Sequence, residues 1–137
     1  MIRRLDHIAI AVKDLDVALD TYAKGLGLQS DHQETVEDQE VRAAFLPLGD
    51  THLELLESLS PDGPIGRFIS SRGEGIHHLC FQVDDIHAAL AACEQAGMAL
   101  IDKKPRRGGH DRWVAFLHPK NTHGVLIELS QDQEGAS

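Results

Sequence analysis

From Leu5 to Val12 every second position shares a face. His7, Ala9 and Ala11 lie on one side, and Ile8, Ile10 and Val12 on the other. The β-branched, apolar content of that run predicts a strand. Asp14 then stands in an N-cap position ahead of Leu15, Ala18, Leu19 and Tyr22. That three-and-four spacing predicts a helix, stopped by Gly25 and Gly27. Residues 29–57 carry two or three further strands, with a turn at Gly49-Asp50. The sequence then repeats itself. Leu79 to Val83 is a strand, Asp85 caps a helix with the stripe Ile86, Ala89, Leu90 and Cys93, Gly97 stops it, and residues 99–130 hold the remaining strands. Between the halves, Pro64 followed by Ile65, Phe68 and Ile69 predicts a short linking helix.

The two halves match in register. At an offset of 71 residues His7 falls on His78, Val12 on Val83, Asp14 on Asp85, Leu19 on Leu90 and Phe45-Leu46 on Phe116-Leu117. The second half then gains three residues, so Leu53-Glu54-Leu55 falls on Ile127-Glu128-Leu129 at an offset of 74. A match held across a strand, a helix and a second strand marks an internal repeat. The expectation is an α+β fold of paired βαβββ modules, whose curved mixed sheet encloses a metal-binding cleft. The modules are 4–57 and 76–131, with a linker at 58–75 and a flexible tail at 132–137, all within one domain of residues 1–137. Each module of about 55 residues is marginal alone, so the two need each other.

Composition narrows the classes of function. The 137 residues include 42% hydrophobic positions, enough for a real core, and two cysteines, too few for a disulfide scaffold or a Cys-rich zinc module. A net charge of -9 and 4% aromatics argue against nucleic acid as a partner. No run is long and apolar enough to span a bilayer, and the charged start Arg3-Arg4-Leu5-Asp6 does not read as a secretory signal, so the expected setting is the cytoplasm without membrane attachment. One local exception to the acidic charge is the segment 103–120, with Lys103, Lys104, Arg106, Arg107, Arg112 and Lys120. Such a cluster suits either a solvated loop or a set of phosphates.

Nine histidines raise the question of a metal. Taken singly, a histidine on a strand is most simply a hydrogen-bonded side chain, and a glutamate near a strand end faces solvent. The repeat changes the weighing. It puts one histidine on the first strand of each half, His7 and His78, and one glutamate on the last, Glu54 and Glu128, each glutamate amid apolar neighbours. Four such groups converging make a two-imidazole, two-carboxylate site suited to a first-row divalent ion. His77 points away from His78 and reads as structural or supporting. His52 shares the Glu54 face, but its counterpart in the repeat is Leu126, so it reads as structural. His32, His87 and His118 lack repeat support, and His110 lies in a glycine-rich loop.

Three stretches carry a resemblance: Asp6-His7-Ile8-Ala9-Ile10-Ala11-Val12, Gly75-Ile76-His77-His78-Leu79-Cys80-Phe81-Gln82-Val83-Asp84-Asp85-Ile86, and His118-Pro119-Lys120 with Gly124-Val125-Leu126-Ile127-Glu128-Leu129. Together they resemble the methylmalonyl-CoA epimerases of the vicinal oxygen chelate (glyoxalase/bleomycin resistance/dioxygenase) superfamily, over roughly residues 4–131. The resemblance implies metal ligands at His7, Glu54, His78 and Glu128. It also implies a homodimer and an acyl-CoA substrate. The divalent ion is expected to be Co2+ first, with Mn2+, Ni2+, Zn2+ or Mg2+ as alternatives.

The implied reaction interconverts the 2R and 2S epimers of methylmalonyl-CoA. A metal chelating one thioester oxygen and one carboxylate oxygen would stabilise the enolate left by loss of the α-proton. Inversion needs a base on one face and an acid on the other. Glu128 matches one of the family's two catalytic glutamates. The other falls on Ala43, which cannot carry a proton, so Glu54, Glu40, Glu37 or a water stands in its place. Lys120 and Arg112 are the expected contacts for the CoA portion. Two alternatives stand beside this reading: a glyoxalase I-type enzyme acting on a glutathione hemithioacetal, which shares the His, Glu, His, Glu pattern, and a small-molecule-binding protein of the same fold without chemistry.

Overall fold

The structure, a computed structural model, describes residues 1–132. The chain forms two compact units. One is His7–His77; the other combines Met1–Asp6 with the chain from His78 onward.

In the first unit, the part of strand β1 (Ile2–Val12) from His7 onward leads into helix α1 (Leu15–Leu26), then β2 (His32–Val36), β3 (Val41–Leu48) and β4 (Thr51–Ser58), and finally helix α2 (Pro64–Arg72). The Asp14 carboxylate caps α1 by accepting from Val17 N at 3.2 Å. Gly27, at a left-handed φ of 70°, ends the helix, while Gly25 lies inside its last turn. β1 runs parallel to β4, which pairs antiparallel with β3, and β3 with β2.

Both faces of this sheet are covered. On one, Val12, Leu15, Ala44, Leu46 and Leu55 pack with Ala18, Leu19 and Tyr22 of α1. Leu15 is fully buried, so truncating it to alanine costs about 2–5 kcal/mol. On the other, the small side chains of Ala9, Ala11 and Ala43 join Val41, Leu56 and Ile65, with Phe68 and Ile69 of α2 packed against them. Pro64 opens α2 as expected. Gly66 has to be glycine: a Cβ there would collide with the Ser60 carbonyl oxygen.

The second unit repeats the plan with β5 (Gly75–Val83), α3 (Ile86–Gln95), a two-residue β6 (Arg106–Arg107), β7 (Arg112–Leu117) and β8 (Ile127–Asp132). Asp85 caps α3 by accepting from Ala88 N at 3.0 Å, the counterpart of Asp14. β5 runs parallel to β8, and β7 pairs antiparallel with β8 and β6. Ile86, Ala89 and Leu90 of α3 pack with Val83, Ala115, Leu117, Ile127 and Leu129 of the strands. The α+β class and the paired βαβββ plan are thus as expected. The proposed tail begins one residue early, because Asp132 is the end of β8, and residues 133–137 lie outside the described part of the chain. Among the described residues no helix is long and apolar enough to cross a membrane.

Candidate functional site

The pairing register explains why one imidazole and one carboxylate meet in each unit. In a parallel pair, side chains on facing strands share a face when their positions are in phase. Ala9 stands opposite Glu54, so Glu54 faces the residue two beyond His7. Cys80 stands opposite Glu128, so Glu128 faces the residue two beyond His78. The three inserted residues of the second half fall before β8 and leave this relation intact.

The outcome is the same contact made twice. His7 Nε2 lies 3.3 Å from Glu54 Oε2, and His78 Nε2 lies 3.1 Å from Glu128 Oε1. Both histidines are 7% exposed. Phe116 meets the His78 ring edge-on, with centroids 5.4 Å apart. Burial holds each imidazole in one orientation and leaves its Nε2 directed at a carboxylate, the donor arrangement a divalent ion takes.

A third group joins the first pair. His52 stands directly opposite His7 in the β1–β4 register, and the two rings stack with centroids 5.1 Å apart. His52 Nε2 lies 3.5 Å from the same Glu54 Oε2, without the geometry of a hydrogen bond to it, and is a buried nitrogen with no hydrogen-bond partner. The repeat assigns His52 a structural role because Leu126 is its counterpart. The usable signal was local: His52 and Glu54 are two residues apart on a strand, hence on one face. Nitrogen and oxygen donors aimed at one point, with a buried imidazole nitrogen unsatisfied, fit a divalent metal ion.

The remaining sequence candidates lie as follows. Ala43 is 2% exposed within the apolar cluster under α2, and no proton donor occupies its place. Glu37 and Glu40 are exposed in the 3-10 turn that precedes β3, with Glu40 at a φ of 55°. Glu34, which the sequence did not single out, stands across from Ala43 on β2 and is half-buried. His77 packs edge-on against Phe68, and His118 Nδ1 accepts from Lys120 N at 3.1 Å. The Lys120 side chain is exposed.

Arg112 is engaged inside its own unit. Nη1 donates to Asp6 Oδ2 at 2.6 Å, and Nε lies 3.1 Å from Asp132 Oδ1. Burial by itself would lower its pKa. The hydrogen bond and charge of Asp6, then the charge of Asp132, outweigh that and raise it above the usual value. The positive charge is therefore already matched within the chain. Of the other loop cations, Arg106 lies 3.4 Å from Asp102 and Arg107 3.6 Å from Asp111.

Residues 6–116 match the model of the glyoxalase/bleomycin resistance protein/dioxygenase superfamily. The chain belongs to that superfamily. It is 40% identical over 133 residues to the ethylmalonyl-CoA/methylmalonyl-CoA epimerase of Cereibacter sphaeroides, a match covering 96% of this chain and 99% of the relative. It is 39% identical over 129 residues to the mitochondrial methylmalonyl-CoA epimerase of Homo sapiens, covering 93% of this chain and 73% of that one. A solved methylmalonyl-CoA epimerase in complex with methylmalonyl-CoA and ammonium superposes with a TM-score of 0.87 at 37% identity, covering 96% of each chain. The resemblance read from the three sequence stretches is borne out.

Proposed function

We propose that this superfamily member is a metal-dependent methylmalonyl-CoA epimerase, interconverting the 2R and 2S epimers, with His7, Glu54, His78 and Glu128 as the protein ligands of one divalent ion. The observation that carries the reading is the twice-made imidazole–carboxylate contact, 3.3 Å in one unit and 3.1 Å in the other. Two ligands do not hold a divalent ion firmly, and an N/O donor set of four leaves positions for substrate oxygens. Epimerases similar over nearly the whole chain supply the substrate class.

When bound, the ion supplies Lewis acidity toward the substrate's thioester and carboxylate oxygens, which makes the α-proton more acidic. The chain's own residues do the rest. One of the two carboxylates, Glu128 or Glu54, takes the α-proton. The C–H electron pair then spreads onto the thioester and carboxylate oxygens. The other carboxyl group, protonated at the outset, gives its proton to the opposite face, which inverts the centre, and proton exchange with solvent restores the starting state. His7 and His78 would complete the donor set beside those carboxylates. Ala43 takes no part, since its side chain has no proton to give. Lys120, exposed at the turn before β8, is the cation offered to the CoA phosphates.

Incubation of the pure 2S epimer with metal-loaded protein tests this. The expected product is a mixture of 2S and 2R. Recovery of unchanged 2S epimer, with the metal shown to be bound, would overturn the reading.

A further inference from the structure

We propose that Arg106 is a contact for the phosphate groups in the CoA portion of the substrate. The inference rests on the acyl-CoA part of the reading above, and it picks one cation out of the basic segment 103–120.

The strand register of the second unit carries it. Cys80 stands opposite Glu128, Glu128 opposite Phe116, and Val114 opposite Arg106. His78, Glu128, Phe116 and Arg106 therefore share one face of four adjacent strands, β5, β8, β7 and β6. The ring contacts follow the same line. His78 meets the edge of the Phe116 ring, with centroids 5.4 Å apart. The Arg106 guanidinium carbon lies 5.7 Å from the centroid of that ring.

Arg106 is also the arginine of this segment with donors to spare on that face. Its Nε lies 3.4 Å from Asp102 Oδ1, and the side chain is half exposed. Asp102 is itself fixed, since Phe116 N donates to its Oδ2 at 2.8 Å. The two terminal amino groups of Arg106 have no hydrogen-bond or ion-pair partner among the described residues. Arg112 is taken up by Asp6 and Asp132. Arg107 stands opposite Trp113, which packs against the α3 cluster, so Arg107 lies on the other face and over the Trp113 ring.

Position decides which anion Arg106 meets. Under the proposed function the substrate's carboxylate and thioester lie at the reacting end, beside His78 and Glu128. A whole aromatic ring separates Arg106 from that end. Outward from the thioester the pantetheine arm is uncharged, and the next anionic groups of an acyl-CoA are its phosphates. A planar guanidinium with both amino groups unmatched presents the fork that takes two phosphate oxygens. The Phe116 ring between the two ends offers apolar surface to the uncharged arm.

The test titrates the full chain with CoA in a calorimeter, as the parent, Arg106→Gln and Arg107→Gln. The CoA dissociation constant should rise about 10-fold in Arg106→Gln at low salt and stay unchanged in Arg107→Gln. With metal-loaded protein, KM for methylmalonyl-CoA should rise by a similar factor in Arg106→Gln while kcat holds. With methylmalonyl-pantetheine, which lacks the phosphates, kcat/KM should be the same in the parent and Arg106→Gln. No CoA binding by the parent, equal affinity in the parent and Arg106→Gln, or an equal loss in both variants would overturn the inference. A loss against methylmalonyl-pantetheine as large as that against methylmalonyl-CoA would overturn it too, by placing Arg106 at the acyl end. Weaker CoA binding in Arg106→Gln, beside a parent that leaves the 2S epimer unchanged, would overturn the epimerase reading and uphold the phosphate contact.

Discussion

Arg112 Nη1 donates to Asp6 Oδ2 at 2.6 Å across a separation of 106 residues, tying the start of β1 to the start of β7. The contact is one side of a closed ring. Arg112 Nε meets Asp132, Asp132 Oδ2 accepts from Gln82 Nε2 at 2.9 Å, Gln82 Oε1 accepts from Arg4 Nε at 3.0 Å, and Arg4 Nη2 donates to Asp6 Oδ1 at 3.1 Å. Asp6 is fully buried. Removing its charge leaves two guanidinium groups short of a partner, which costs about 3–5 kcal/mol. Asp6→Asn should shift the urea midpoint accordingly, and Asp6→Asn/Arg112→Met should lose less than the sum of the two single variants.

The pH dependence of that pair follows from the upward shift of Arg112. A cation whose pKa is raised on folding contributes stability that is complete below its unfolded pKa and lost only as pH rises through the folded value. A guanidinium is ordinarily protonated well beyond neutral pH, and Arg112 is shifted further up, so that loss falls at strongly alkaline pH. The urea midpoint should therefore show no step from Arg112 between about pH 6 and pH 10; a step there that vanishes in Arg112→Met would contradict the assignment.

Glu128 and Glu54 are expected to carry the proton transfers. Glu128→Gln and Glu54→Gln should each lower kcat by about 10²–10⁴-fold. Their apo melting temperatures should stay near the parent's, because each carboxylate lies outside the apolar clusters of its unit. Steady-state kinetics beside thermal denaturation checks both points.

Lys120 should act on substrate affinity alone. Lys120→Ala is expected to raise KM several-fold with kcat within about twofold, the signature of lost binding that is equal in ground and transition states. The increase should shrink at high salt, because exposed charges are screened.

Burial raises the pKa of the Cys93 thiol, leaving less thiolate at neutral pH than in a free cysteine. Cys80 is fully buried, with Sγ donating to Ser130 Oγ at 3.3 Å. Alkylation with iodoacetamide at pH 7.5 should be slow for both, and labelling of Cys93 should accelerate only as pH rises above the usual thiol range of about 8.5.

Much of this was legible because the chain says it twice. Asp14 and Asp85 cap equivalent helices, and the His7–Glu54 and His78–Glu128 contacts follow from two strands with period-two alternation. The contact of His52 with Glu54 was not legible from the repeat, which sets His52 against Leu126; it appears only in the packing of β4. The ring through Asp6 and Arg112 was not legible either. It joins residues far apart in sequence, and a basic loop residue looks the same whether it serves a phosphate or a buried aspartate. Asp132 read as the start of a frayed tail because the polar residues after it dominate the local composition.

Metal-assisted removal of the α-proton is the central step of the proposed reaction. Proton NMR of methylmalonyl-CoA in D2O, with metal-loaded protein beside a chelator-treated sample, tests it most directly. Loss of the α-proton signal is expected in the metal-loaded sample, and its persistence after chelation. Persistence in both samples, with the metal shown to be bound in the first, would contradict it.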